Sequence, residues 1–370
     1  MKHFDALIAL GFVQSVLSSS SSIHFNVLDT ESLPISVTPD VKCTSNAIRK
    51  EWSSLAASDR LSYINAVVCL QSLPTQIPAG LVPGAVSRFD DFVATHINNT
   101  LGIHLNGKFL SWHRQFLWLY EKTLQEECGF NGTQPYWNWS LYLDSPYHLE
   151  TSLLFDGSPT SMSNNGVYDP NISATVVGGG AVLPRGNGGG CVTEGPFVNQ
   201  TLQLGPFDFS LVYGGVLPAN WTSPNPRCLT RDLSVPIAQM FNNASAVAFL
   251  SHQTQTIAEF QGNMSGIDNP GVHGGGHFSL GATGADFFAS PNDPAFWLHH
   301  GMIDKLWTDW QALDPERRTW ALNGTDRIFD PPGATEMTLD YEQDWGYLGA
   351  PRQTRELLRV GYQGFCYRYE

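Results

Sequence analysis

Apolar side chains recur at helical spacing along most of this chain. Leu61, Ile64, Val67 and Val68 mark one face of a helix predicted over Ser58–Gln71. Phe89, Phe92, Val93 and His96 fall at i, i+3, i+4 and i+7, the spacing of an inward helix face. A longer stripe of Phe109, Trp112, His113, Phe116, Leu117, Tyr120 and Leu124 predicts a helix over Phe109–Gln125. Helical patterning also covers Thr44–Leu55, resumes from Ser234 to Gly262, and ends in a strong helix over Pro294–Ala312. Between Tyr142 and Arg231 the composition turns to Gly, Pro, Asn and Ser, which reads as a long ordered loop region. Neither internal repeats nor a flexible linker interrupt this pattern. It predicts one mainly α-helical domain with long irregular loops and little β structure.

Composition narrows the classes. The net charge is -14 and no basic run occurs, which argues against nucleic acid. Lys2 and His3 precede an apolar stretch, Ala6 to Leu17, and a serine run to Ser22. That pattern predicts a signal peptide over 1–22, with 23–370 as the mature domain; the apolar stretch is too short for a membrane span. Ile23–Asp40 reads as an extended arm. Six cysteines, with no CxxC-type pair, predict three disulfides in an oxidising compartment, their connectivity open. Asn-x-Ser/Thr triplets begin at Asn98, Asn131, Asn138, Asn171, Asn199, Asn220, Asn243, Asn263 and Asn323, consistent with a secreted, extracellular glycoprotein. Gly178–Gly180 and Gly188–Gly190 lack the Lys-Ser/Thr and strand–loop–helix setting of a phosphate loop.

Histidines carry the chemistry. His96, His104 and His113 cluster early, His273 and His277 form an i, i+4 pair, and His299–His300 follow on the last strong helix. Side chains at i and i+4 lie one above the other on a helix, so His273 and His277 can share a metal ion. One histidine on an apolar face is usually a core residue. Several such imidazoles without partners are costly to bury, and a metal satisfies them. All-imidazole sites suit copper, zinc, iron or nickel, and the spacing does not choose among them.

The surrounding residues resemble a known family. His104-x8-His113–Arg114 and Asp293–Pro294–x–Phe296–Trp297–x–x–His300–x3–Asp304 are similar to the two copper-site signatures of tyrosinases and catechol oxidases, the type-3 dicopper proteins. Pro135–Trp139, Gly188–Phe197, Asn225–Leu233 and the closing Tyr367–Arg368–Tyr369 add to the resemblance, which is strongest to short secreted fungal members. It implies a central four-helix bundle with one copper on His96, His104 and His113 and another on His273, His277 and His300, dioxygen being the co-substrate. His299 then stands beside a ligand, Phe296 packs near the centre, and Asp293 and Asp304 orient groups around it or cap helices. The implied activity is oxidation of o-diphenols, and more weakly of monophenols, to o-quinones. An o-aminophenol oxidase on the same site is the alternative. A dioxygen carrier of haemocyanin type is a more distant one, disfavoured because no plug domain follows the tyrosine motif. The partners implied are small phenolic or aminophenolic molecules, with no membrane; monomer and homodimer both stay open.

Departures from the family pattern refine this. Gly102 occupies the position of a cysteine that in many relatives forms a thioether to the second ligand, so that crosslink is absent. Relatives efficient on monophenols often place Asn after the fourth ligand, where with a nearby Glu it orders a water; here that residue is Gly274, and Glu259 is the candidate for the Glu role. The run Gly274–Gly275–Gly276 is read either as opening the pocket to bulky phenols or as a turn that is not a regular helix. Phe287 is a candidate gate residue that stacks on the substrate ring, with a plain core role as the alternative.

Overall fold

A computed structural model describes residues 42–370 except 144–147, 178–179 and 267. The segments predicted as a signal peptide and an extended arm therefore lie outside the described residues, as do Gly178 and Gly179. Eleven helices occur among the described residues: α1 (Ala57–Ser72), α2 (Arg88–Ile103), α3 (Phe109–Cys128), α4 (His148–Thr151), α5 (Ser210–Tyr213), α6 (Val235–Phe241), α7 (Ala244–Gln253), α8 (Ile257–Met264), α9 (Gly271–Leu280), α10 (Ala295–Leu313) and α11 (Pro315–Arg318). Strands are short and pair two by two. β1 (Ala47–Arg49) runs parallel to β8 (Tyr367–Tyr369), while β2 (Gly166–Tyr168) with β3 (Gly189–Val192), β4 (Thr201–Leu202) with β5 (Arg227–Cys228), and β6 (Glu342–Gln343) with β7 (Arg352–Gln353) are antiparallel. The mainly α, single-domain reading holds.

Helix starts follow local chemistry. Ser87 and Asp90 form a reciprocal capping box at the start of α2, satisfying backbone amides that the first turn leaves free. Gly129 ends α3 in the left-handed conformation, φ 65°, where a glycine carries no Cβ penalty. Helices α2, α3, α9 and α10 form the central bundle. Their contact is aromatic: Tyr120 of α3 stacks on Trp297 of α10 (3.6 Å, 2° between planes), and Phe92 of α2 meets that indole edge-on at 5.6 Å.

One expected helix is corrected. Thr44–Leu55 is not helical: it forms β1 and a 3-10 turn over Trp52–Ser54. Pairing of β1 with the distant β8, beside the Cys43–Cys366 disulfide, overrides its helical periodicity. The helical patterning over Ser234–Gly262 holds and is divided into α6, α7 and α8, because Asn243 and Thr256 cap new N-termini at α7 and α8. The remaining disulfides join Cys69 to Cys128 and Cys191 to Cys228, leaving no free cysteine.

A buried ion network ties the chain ends to the bundle. Asp304 of α10 accepts from Arg114 of α3 (2.6 Å), from Arg49 of β1 (3.3 Å) and from the hydroxyls of Tyr367 and Tyr369 (2.6 Å each). Burial raises the proton affinity of that carboxyl, but the two guanidiniums outweigh it and hold it below the usual aspartate range. Asp293 works similarly nearby: it takes a bidentate pair from Arg231 (3.0 and 2.7 Å) and accepts from the Ala295 amide at the start of α10.

Candidate metal centre and substrate pocket

Six histidines converge from four elements. His96 sits on α2, His104 just past its end, His113 on α3, His273 and His277 on α9, and His300 on α10. The ring nitrogens of His96, His104 and His113 lie within 4.8 Å of one another, as do those of His273, His277, His299 and His300. The two sets face each other. His113 stacks on His300 (4.6 Å, 15°), and His104 lies 6.1 Å from His273. Phe296 packs 5.5 Å from His96 and 4.2 Å from His300, against rings of both sets.

Hydrogen bonding fixes which nitrogen is free. The Nδ1 atoms of His96, His104, His113 and His277 reach the carbonyls of Phe288 (2.7 Å), Thr100 (3.0 Å), Phe109 (2.8 Å) and Gly284 (2.9 Å). A carbonyl only accepts, so each Nδ1 carries the proton and each Nε2 presents a lone pair. His273 Nδ1 contacts the Ser265 hydroxyl at 3.0 Å. The Nε2 atoms of His96 and His113 are buried without a hydrogen-bond partner, and the Nε2 atoms of His273, His277 and His300 crowd within 3.2–3.3 Å. Burial lowers the proton affinity of all of them, His104 to about 3 and His277 to about 4, so the rings are neutral at pH 7. Converging neutral imidazoles with unshared lone pairs fit a soft or borderline cation, and a cation removes their mutual repulsion.

His299 is a seventh imidazole in the neighbourhood. It lies between Gly276 and Trp139, whose ring is 5.3 Å away, and both its nitrogens are buried without a partner. Adjacent helical side chains diverge by about 100°, and it is His300 that faces the first set. Of the two readings of Gly274–Gly275–Gly276, the irregular turn is corrected. The segment is a regular helix, and a Cβ on Gly276 meets the His299 ring at 2.2 Å, while one on Gly275 meets Phe241 at 2.4 Å. Those two glycines allow close packing, and Gly274 alone lines the pocket. A side chain there meets Pro270 Cβ at 2.6 Å, so enlarging it pushes on the start of α9 as well as filling the pocket.

A pocket opens beside the second set, lined by His104, His273, His277, Gly274, Phe287 and Ser265 among others. Phe287 lines the pocket with its ring 4.7 Å from that of His104. Glu259 does not reach the pocket. It is fully exposed, and its carboxylate accepts from the amides of Gln255 (2.7 Å) and Thr256 (3.2 Å) as the capping-box acid of α8, which lowers its pKa. The Thr256-x-x-Glu259 spacing is itself a capping-box signature, and that signal in the sequence could have separated the two roles. Asp286, Phe209, Tyr213 and Phe329 also line the pocket and carry no motif.

A mainly helical bundle with two facing histidine clusters fits a binuclear metal centre. Comparison with known proteins agrees. Residues 86–313 match the common central domain of tyrosinase. The chain is 45% identical to tyrosinase P of Aspergillus terreus over 339 residues, covering 90% of this chain and 94% of that protein. It is 44% identical to N-acetyl-6-hydroxytryptophan oxidase of Emericella nidulans over 342 residues, 88% and 92% of the two chains. A polyphenol oxidase variant from Thermothelomyces thermophila superposes with a TM-score of 0.82 at 38% identity, covering 89% of this chain and 90% of that one. The chain belongs to the tyrosinase family and is a type-3 copper oxidoreductase.

Proposed function

We propose that this enzyme oxidises o-diphenols to o-quinones with dioxygen, and monophenols more slowly, with one copper on His96, His104 and His113 and another on His273, His277 and His300. The observation that carries the reading is the facing pair of trihistidine sets beside an aromatic pocket. A bound copper pair supplies two-electron exchange between phenol and dioxygen. The protein's own residues do the rest. Carbonyls of Phe288, Thr100, Phe109 and Gly284 hold four rings in one tautomer, and Phe296 walls the centre from bulk water. Phe287 offers an aromatic face for the substrate ring beside His104.

Monophenol hydroxylation requires a group that takes the phenol proton. Gly274 has no side chain for that task, and Glu259 is committed to its helix cap. Phenol and tyrosine are therefore expected to turn over at least about tenfold more slowly than catechol, as the loss of one proton-transfer group costs about 10²–10⁴ in rate. Oxygen uptake by copper-loaded enzyme with catechol, phenol, tyrosine and 2-aminophenol tests this. Tyrosine oxidised as fast as catechol contradicts the reading, and 2-aminophenol preferred over catechol reassigns the enzyme as an aminophenol oxidase. The three disulfides also support a secreted protein; no described helix is long and apolar enough to cross a membrane.

A further inference from the structure

The pocket is entered across a rim that the oxidation chemistry leaves unused. Phe209 stands edge-on to Phe287 at 5.4 Å and to Tyr213 at 5.5 Å, and Tyr213 lies nearly parallel to Phe329 (6.3 Å, 14°). Leu105 and Phe329, both on this rim, hold left-handed backbones at φ 49° and 67°, and the Phe329 amide donates to the Leu105 carbonyl at 3.0 Å. Bulky residues rarely adopt that conformation, and such strain collects where a side chain must be aimed. A ring that only needed burial could sit on an ordinary backbone.

The rim is also electrically bare. Among the described residues lining the pocket, Asp286 is the one acidic or basic side chain besides the histidines, and its buried carboxylate accepts from the amides of Phe207, Phe288 and Ala289. Nothing there is left to pair with an ammonium or a carboxylate, whose desolvation would go uncompensated. Space does continue outward: Leu105, Ser265, Gly266 and Phe329 also line a neighbouring cleft, where Asn106, Gln261 and Asn323 offer neutral amides and the exposed Asp330 carboxylate already accepts from the amide and hydroxyl of Thr325.

We propose that this rim selects phenols whose reacting ring is fused to, or carries, a second flat ring, and disfavours phenols with charges close to the ring, as in free amino acids. The proposal names the substrate class of the phenol-oxidase site and rests on that reading. Leu105, Phe209, Tyr213 and Phe329 are its specificity-determining residues, the aromatic ones stacking on the outer ring.

Anaerobic calorimetric titration of the copper-loaded enzyme with naphthalene-2,3-diol, catechol and 3,4-dihydroxyphenylalanine reads binding apart from turnover. Aerobic assays of the same compounds give kcat and KM. Naphthalenediol should bind about tenfold more tightly than catechol, from the apolar surface of its second ring, and dihydroxyphenylalanine more weakly than catechol. Phe329→Asn places a residue that tolerates left-handed backbone at that site, and Tyr213→Ala alters a side chain 51% exposed, so both should fold. Each should bring the naphthalenediol-to-catechol affinity ratio toward one, through KM rather than kcat. Equal affinities in the unaltered enzyme, or a ratio unmoved in both variants, overturn the proposal. Absence of any catechol oxidation would refute the assigned chemistry, yet the binding order would still decide the rim's role. Because Asn323 begins an Asn-x-Thr sequon at the cleft edge, the titration is repeated after deglycosylation. A preference that appears only then counts against the proposal for the native protein.

Discussion

Single residues decide what the site tolerates. Gly276 is the clearest case, because a methyl group there runs into the His299 imidazole. Gly276→Ala is expected to destabilise the protein by about 1–3 kcal/mol through overpacking, despite the gain in helix propensity that replacing a glycine normally brings. Urea unfolding checks this, and a stabilised variant would show that His299 can move aside. Asp304 is a second case. With Arg114 and Arg49 both paired to it in a dry setting, Asp304→Asn should cost about 3–5 kcal/mol, since breaking a buried pair leaves charge uncompensated. A change under about 1 kcal/mol in the unfolding midpoint analysis would show that Glu121 and solvent take over the two guanidiniums. The six histidines that the structure brings together stood out in the sequence mainly through the two copper-site signatures they resemble, since a single imidazole on an apolar helix face is usually a core residue. Glu259 was misread: its carboxylate serves the backbone of its own helix, a local hydrogen bond that competes with any functional assignment.

Elements with strong periodicity were read well, and those stabilised by distant partners were not. The helices predicted over Ser58–Gln71, Phe109–Gln125 and Pro294–Ala312 end within a few residues of α1, α3 and α10, but the inward face of α1 was misjudged: Leu61 and Val68 are exposed, and Tyr63, Ile64, Val67 and Leu70 are buried. The segment at Ala47–Arg49 shows the limit. Its register with Tyr367–Tyr369, its disulfide neighbour Cys43–Cys366 and its Arg49 contact to Asp304 are all made across more than 250 residues of chain, which no local window contains. Helix α9 was ambiguous for a different reason. Three consecutive glycines weaken a helix by roughly 1 kcal/mol each, and only the rings packed against Gly275 and Gly276 explain why the helix forms there anyway. The rim residues Leu105 and Phe329 were silent in sequence, because strained backbone leaves no pattern in residue type.

At the scale of the molecule, the bundle exists to bury imidazoles that would rather be solvated, and its stability should carry that signature. Burial depresses the proton affinity of the six histidines of the two sets and of His299 in the folded state. The unfolded chain therefore binds more protons below its ordinary histidine pKa of about 6.5. A depressed folded pKa gives stability that is present above the unfolded value and is lost as pH falls, through about 4 for His277 and about 3 for His104. Each unmatched histidine contributes a slope of about 1.4 kcal/mol per pH unit in that window. Urea midpoints of metal-free protein should thus drop steeply between pH 7 and pH 5; a flat profile would mean the rings are hydrated without metal. Copper binding competes with the same protons, so metal loss is expected over a similar acid range.

The central claim is two copper sites, each built on three histidines. Elemental analysis of purified protein, with single substitutions His113→Ala and His277→Ala, tests it most directly. The unaltered chain should hold about two copper ions, and each variant about one, because the sets bind independently through their own rings. Well under two coppers in the unaltered chain, zinc in their place, or full copper retained by both variants would contradict it.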